Sequence, residues 1–146
     1  MMEPLYSSAF IQGYECLAAW SDLLDQINVF PVADADTGRN LKISLAPLRL
    51  LAEKPAGVSR QMLRAATGNA GNIAAAFFQP LVELQHSQHL AAAVDRGLRQ
   101  ACRAVADPKP GTMLTLFEAL TKALPAAAQS PAAWDVEAIV AHLEKC

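Results

Sequence analysis

The chain has 146 residues, with 12 Lys and Arg against 14 Asp and Glu, for a formal net charge of −2. That length fits one domain, and the near-neutral balance leaves no basic footprint for nucleic acid. Apolar residues make up 53% and charged residues 18%, enough for a real core and wrong for a disordered tail. Low aromatic content and runs of alanine suit closely packed helices and argue against an all-β or fibrous chain.

The N-terminus has no basic stretch followed by an apolar one, so no secretory signal is expected. Over residues 8–24, Phe10, Ile11, Tyr14, Leu17, Ala18 and Leu24 recur at helical spacing, which predicts one amphipathic helix. Residues 28–38 form a break in which Pro31 weakens any strand. A second helix is predicted over 39–53, with Leu41, Leu45, Leu48 and Leu51 inside and a kink or early end near Ala46 ahead of Pro47. Pro55-Ala56-Gly57 reads as a turn, with Ser59 capping a short helix that ends near Ala66.

Gly68-Asn69-Ala70-Gly71 then opens a helix predicted over 72–85. The longest uncharged stretch, residues 65–82, contains Thr67, Asn69, Asn72, Gln79 and Pro80, which predicts a buried helix rather than a bilayer span. Ser87 is the expected cap of a helix over 89–106, whose inward face is Leu90, Val94, Leu98, Cys102 and Val105. After the break Asp107-Pro108-Lys109-Pro110-Gly111, a helix starts at Thr112 or Met113 and reaches about Leu124. Ser130-Pro131 opens a last helix that runs to the end of the sequence. Seven helices with short connections and no strand pair predict an all-α single domain over residues 1–146.

Cys16, Cys102 and Cys146 are odd in number and far apart, with no CxxC or Cys/His spacing. They predict neither zinc nor a disulfide framework, but two core thiols and one terminal thiol in a reducing cytoplasm. His86, His89 and His142 are expected to be ordinary loop or helix-face residues.

The breaks hold the informative polar residues. Asp34 and Asp36 flank Ala35 in a non-helical turn. From spacing alone they fit either a solvated turn that caps the next helix or a pair of oxygen ligands for a hard divalent cation such as Mg²⁺. An EF-hand starting at Asp34 would need glycine sixth and Glu twelfth, but Gly38 is fifth and Leu45 twelfth. The DxDxT pattern of haloacid dehalogenases fails as well, because Thr37 directly follows Asp36. Gly68-Asn69-Ala70-Gly71 fits either a tight turn or a helix start whose N–H groups hold an anion. At Gly111-Thr112-Met113, Thr112 alone reads as a cap and Met113 alone as core.

In this order the three segments resemble the DhaL-like kinase domains. Residues 28–40, from Asn28-Val29-Phe30-Pro31-Val32 through Asp34-Ala35-Asp36-Thr37-Gly38 to Asn40, are similar to the family's "NVFPVPDGDTGTN" pattern. Gly68-Asn69-Ala70-Gly71-Asn72-Ile73 resembles "GNSGVI", and Gly111-Thr112-Met113-Leu114-Thr115 resembles "GTxLT". Both are patterns of the fatty acid kinase branch, with dihydroxyacetone kinase a more distant member. Ala70 stands where the family has serine, Thr67 where it has arginine and Arg39 where it has threonine. Ala33 and Ala35 replace proline and glycine.

The resemblance implies an antiparallel helical barrel that binds ATP or ADP through two Mg²⁺ ions. By position, Asp34 and Asp36 would hold metal, with Asn28 as a third ligand. Thr37 and Asn40 would lie beside the phosphates, Gly68, Asn69, Ala70 and Gly71 would cradle them, and Thr112 and Met113 would border the base and ribose. The implied activity is phosphoryl transfer to a small carbonyl compound or fatty acid presented by a partner protein subunit. A helical binding or assembly module that has lost phosphotransfer is the alternative. Family domains extend past residue 146, so the barrel is expected to be incomplete here, with an exposed apolar face that calls for self-association or a partner.

Overall fold

The computed structural model describes residues 4–29, 31–124 and 144. Among the described residues are seven α-helices, two short 3₁₀ segments and no strand. The helix predicted at the C-terminus lies outside the described residues, as do His142 and Cys146.

The single helix predicted over 8–24 is two, α1 (Pro4–Ala19) and α2 (Ser21–Gln26). Ser21 Oγ donates to the Ala18 carbonyl at 2.9 Å, a local bond of the kind that competes with the helical ladder, and the chain turns at Trp20. Ser21 is thereby buried. Periodicity missed the turn because Tyr14 and Leu17 before it and Leu24 after it all pack on one core. Cys16 faces outward, against the expectation of a core thiol, while Cys102 is half-buried.

Next, α3 (Thr37–Leu45) gives way to a 3₁₀ segment, Ala46–Leu50. Its end falls where Pro47 withholds an N–H and crowds the preceding turn. Leu41, Leu45, Leu48 and Leu51 are all buried, as expected. Then α4 (Val58–Ala65) is capped by Gly57 at φ 88°, not by Ser59, which sits inside the first turn. Glycine takes that left-handed conformation at low cost, and the turn drives Val58 into the core with no exposure.

The buried helix α5 (Gly68–Val82) begins four residues earlier than predicted. Thr67 is extended and Gly68 has φ +64°, so the chain enters the helix through the glycine. A 3₁₀ segment, Ser87–His89, leads into α6 (Leu90–Arg103), and α7 (Met113–Ala123) follows the Pro-rich break.

Helix α5 lies between α3 and α4 on one side and α6 on the other. Ala74, Ala75 and Val82 join a cluster with Tyr14, Leu41 and Met62. Ile73, Phe77 and Leu81 join a second cluster with Val94, Leu114 and Phe117. Phe77 stacks on Phe117 with centroids 3.6 Å apart and planes 8° from parallel. Truncating a buried phenylalanine of this kind to alanine costs about 3–5 kcal/mol. Gly97 lets α6 approach α5 closely, since a Cβ there would lie 2.4 Å from the Phe77 carbonyl oxygen. No helix among the described residues is long and apolar enough to cross a membrane.

Candidate functional site

The N-termini of α3, α5 and α7 meet at a cleft of about 760 Å³, within the roughly 300–1,000 Å³ usual for small-molecule sites. It gathers Asn28, Asp34, Asp36, Thr37, Asn40, Gly68, Asn69, Ala70, Thr112 and Met113 from three separate stretches of sequence. Of the candidate residues only Gly71 is outside the lining. It is buried, and a Cβ there would meet Ser44 Oγ at 2.1 Å, so this glycine serves the α3–α5 contact.

Each helix start is handled differently. At α3, Asp36 occupies the cap position without making a capping bond. Asp25, on α2, supplies it instead: one carboxylate oxygen accepts from the backbone N–H of Gly38 at 2.6 Å and of Arg39 at 3.1 Å. The reading of Asp34 or Asp36 as the cap of the following helix is therefore replaced by Asp25. The close approach depends on Gly38, whose Cβ would fall 1.9 Å from the Ser21 carbonyl oxygen.

The turn that carries the two aspartates is fixed by side chains. Thr37 Oγ1 donates to Asn28 Oδ1 at 2.8 Å, and Asn28 Nδ2 donates to Asp34 Oδ1 at 2.6 Å. Ala35 between them has φ +53°, in the left-handed region. Asp36 faces Arg39 at 4.0 Å across solvent. Asp34 Oδ2 and Asp36 Oδ1 appear in none of these bonds.

Thr112 caps α7 itself, accepting from Leu114 N–H at 3.3 Å and donating to the Lys109 carbonyl at 2.8 Å. The Gly111 N–H is taken by Thr115 Oγ1 at 2.9 Å. At α5, by contrast, Thr67 makes no side-chain capping bond. The first N–H groups of a helix have no partner within it; α3 receives a cap from Asp25 and α7 from Thr112, and of the three helix starts α5 is the one with no side-chain capping bond. Its position is set by Ser44, fully buried, which accepts from Thr67 N–H at 3.1 Å and donates to the Asn40 carbonyl at 2.6 Å. Gly68 lies so close to Asn40 that a Cβ would sit 2.2 Å from Asn40 Nδ2.

The donor set at the turn suits a hard divalent cation: two carboxylates and an amide oxygen at Asn28, with no cysteine or histidine in the lining. Among the described residues no three His, Cys, Asp or Glu converge on a metal position, so the carboxylates that the turn offers a metal are those of Asp34 and Asp36. A metal held there would complete its shell with ligand oxygens. Ile73, Val105, Met113 and Leu114 give the same cleft an apolar wall.

Sequence reasoning missed Asp25 and Ser44. Each acts on backbone 13 or more residues away, and neither belongs to a local motif. A second hollow, of about 500 Å³, is lined by Pro55, Gly57, Arg60 and Glu83 and contains none of the candidate residues.

Fold and cleft together define an all-helical domain with an acidic turn facing an open helix start. The chain belongs to the DAK2 domain family, a dihydroxyacetone kinase-like family whose profile matches residues 31–145. Similar chains include an uncharacterized protein of Staphylococcus haemolyticus, 31% identical over 134 residues, covering 82% of this chain and 24% of the relative. An uncharacterized protein of Staphylococcus aureus is 32% identical over 127 residues, covering 77% of this chain and 23% of the relative. The chain thus spans about a quarter of the length of these curated relatives.

Proposed function

We propose that this chain is a Mg²⁺-dependent ATP- or ADP-binding domain of a kinase, akin to the fatty acid kinase branch, acting on an acceptor presented by a partner protein. The observation that carries the reading is the pairing of Asp34 and Asp36 with the uncapped start of α5 across one cleft. A nucleoside polyphosphate needs both features: metal for its charge and N–H donors for its oxygens. When bound, Mg²⁺ neutralises phosphate charge. Asp34 and Asp36 would hold it, with Asn28 Oδ1, which has a second lone pair, as a third ligand. The N–H groups of Gly68, Asn69 and Ala70 orient the phosphates, with Thr37 and Asn40 beside them. Thr112 and Met113 border the base and ribose. Phosphoryl transfer asks the protein mainly for such positioning.

Trp20, Leu23, Ile27, Val29 and Val32 are all exposed, at 43–74% of their surface, within 13 residues of sequence. Val32 also lines the cleft. Exposed apolar side chains on the segment that leads into the site support a partner surface, either a substrate-presenting subunit or a second copy.

Calorimetric titration of ADP and ATP, with and without Mg²⁺, tests the reading. Binding that requires Mg²⁺ and is lost in both Asp34→Asn and Asp36→Asn supports it; a folded protein that binds neither nucleotide refutes it. Ala70, in the serine position of the family pattern, favours a second reading, a helical binding or assembly module that keeps the fold but has lost phosphotransfer. Binding with no phosphoryl transfer to any acceptor in the presence of the cognate partner would select that one.

A further inference from the structure

The motif match does not account for the one lysine that lines the cleft. Among the described residues lining it, Lys109 is the one cation, against Asp34, Asp36 and Asp107. Its ammonium is held by Asp107 at 2.6 Å, with half of the lysine side chain and 74% of the aspartate side chain exposed. An exposed pair of this kind is weakly held, so the ammonium exchanges partners at little cost. Its backbone, by contrast, is fixed: the Lys109 carbonyl accepts from Thr112 Oγ1, and Gly111 is tied to Thr115. The break therefore presents a long cationic side chain from an anchored position on the same cleft as the uncapped start of α5.

We infer that Lys109 is a phosphate-binding residue of this site, its ammonium held by Asp107 and transferred to a phosphate oxygen when a nucleoside diphosphate or triphosphate enters. The inference rests on the nucleotide reading above. Asp107 competes with the ligand for the ammonium and so sets the affinity from outside the metal turn. No covalent bond is made or broken in the exchange; one charge-assisted hydrogen bond replaces another.

The two members of the pair have opposite effects on binding. Titrated with ADP in the presence of Mg²⁺, Lys109→Gln is expected to weaken binding about tenfold, the scale of one lost charge-assisted contact. Lys109→Arg retains most of the affinity, and Asp107→Asn strengthens it. Adenosine, which has no phosphate, binds wild type and Lys109→Gln alike. All three substitutions are at exposed side chains, and unchanged thermal unfolding verifies the fold of each variant. Wild-type protein that binds Mg·ADP while Lys109→Gln binds it equally well, or Asp107→Asn binds it less well, overturns the role of Lys109 alone. Wild-type protein that ignores Mg·ADP overturns the nucleotide reading and this inference with it.

Discussion

The carboxylate of Asp25 caps α3 from another helix, accepting from the N–H of Gly38 at 2.6 Å. Because the cap comes from α2, Asp36 makes no capping bond although it stands in the cap position. One distant aspartate thus fixes the start of the helix and leaves the two motif aspartates for other work. Asp25→Ala is expected to lose about 0.5–2 kcal/mol of stability, the usual range for a lost cap. Asp25→Asn, which retains an oxygen in place, should lose less. Urea unfolding of both variants checks the order.

Ala35 takes φ +53° between the two aspartates. A left-handed residue with a Cβ costs about 1–2 kcal/mol, while glycine gives back about 0.4–1 kcal/mol through the unfolded chain. Ala35→Gly should therefore stabilise the protein by about 0.5–1 kcal/mol, from the difference of those two effects. A rise in the urea midpoint with an unchanged slope would verify it; a fall would mean that the turn is not strained.

Gly68 and Asn40 are in such close contact that a methyl group at 68 lands 2.2 Å from Asn40 Nδ2. Gly68→Ala adds left-handed strain at φ +64° to that clash. A loss of at least about 1–2 kcal/mol is expected from the strain alone. Asn40→Ala in the same chain removes the clash but not the strain, so the double variant should be more stable than the sum of the two singles predicts. Strict additivity would show that the two residues are not in contact.

Glu15 and Arg49 join α1 to the segment after α3, with Arg49 Nε and one terminal nitrogen 2.5 and 2.8 Å from the carboxylate and the guanidinium 4.9 Å over the Tyr14 ring. The hydrogen bond from Arg49 holds the Glu15 carboxyl below its ordinary value of 4.5. Folding therefore favours the charged form. The contribution is fully present above 4.5 and is lost as pH falls through the lower, folded value. The pair is solvent-exposed, so the effect is small and screened by salt. The stability difference between wild type and Glu15→Gln should shrink as pH drops below 4.5 and at high ionic strength.

Much of this was legible in the sequence, and for identifiable reasons. The leucines at 41, 45, 48 and 51 marked the inward face of α3 and of the 3₁₀ segment after it, and the proline at 47 marked the end of the helix, because hydrophobic spacing and proline act locally. The cleft residues were legible because Asp, Gly and Pro mark breaks, and the breaks converge. Several features were hidden because they depend on residues far apart in the chain. The turn at Trp20 exists because Ser21 bonds backward and packs on Gly38. Ser44 looks like any polar residue on a helix until Thr67 arrives beside it. Ser59 has the chemistry of a cap, yet Gly57 takes that place through its backbone freedom.

The most direct test of the site is an amide ¹H–¹⁵N NMR titration of the protein with ADP and Mg²⁺. Shifts are expected to concentrate at residues 34–40, 68–70 and 109–113, appearing only when metal and nucleotide are both present. Shifts centred on the hollow around Gly57 and Arg60, or none at saturating nucleotide, would contradict the nucleotide reading.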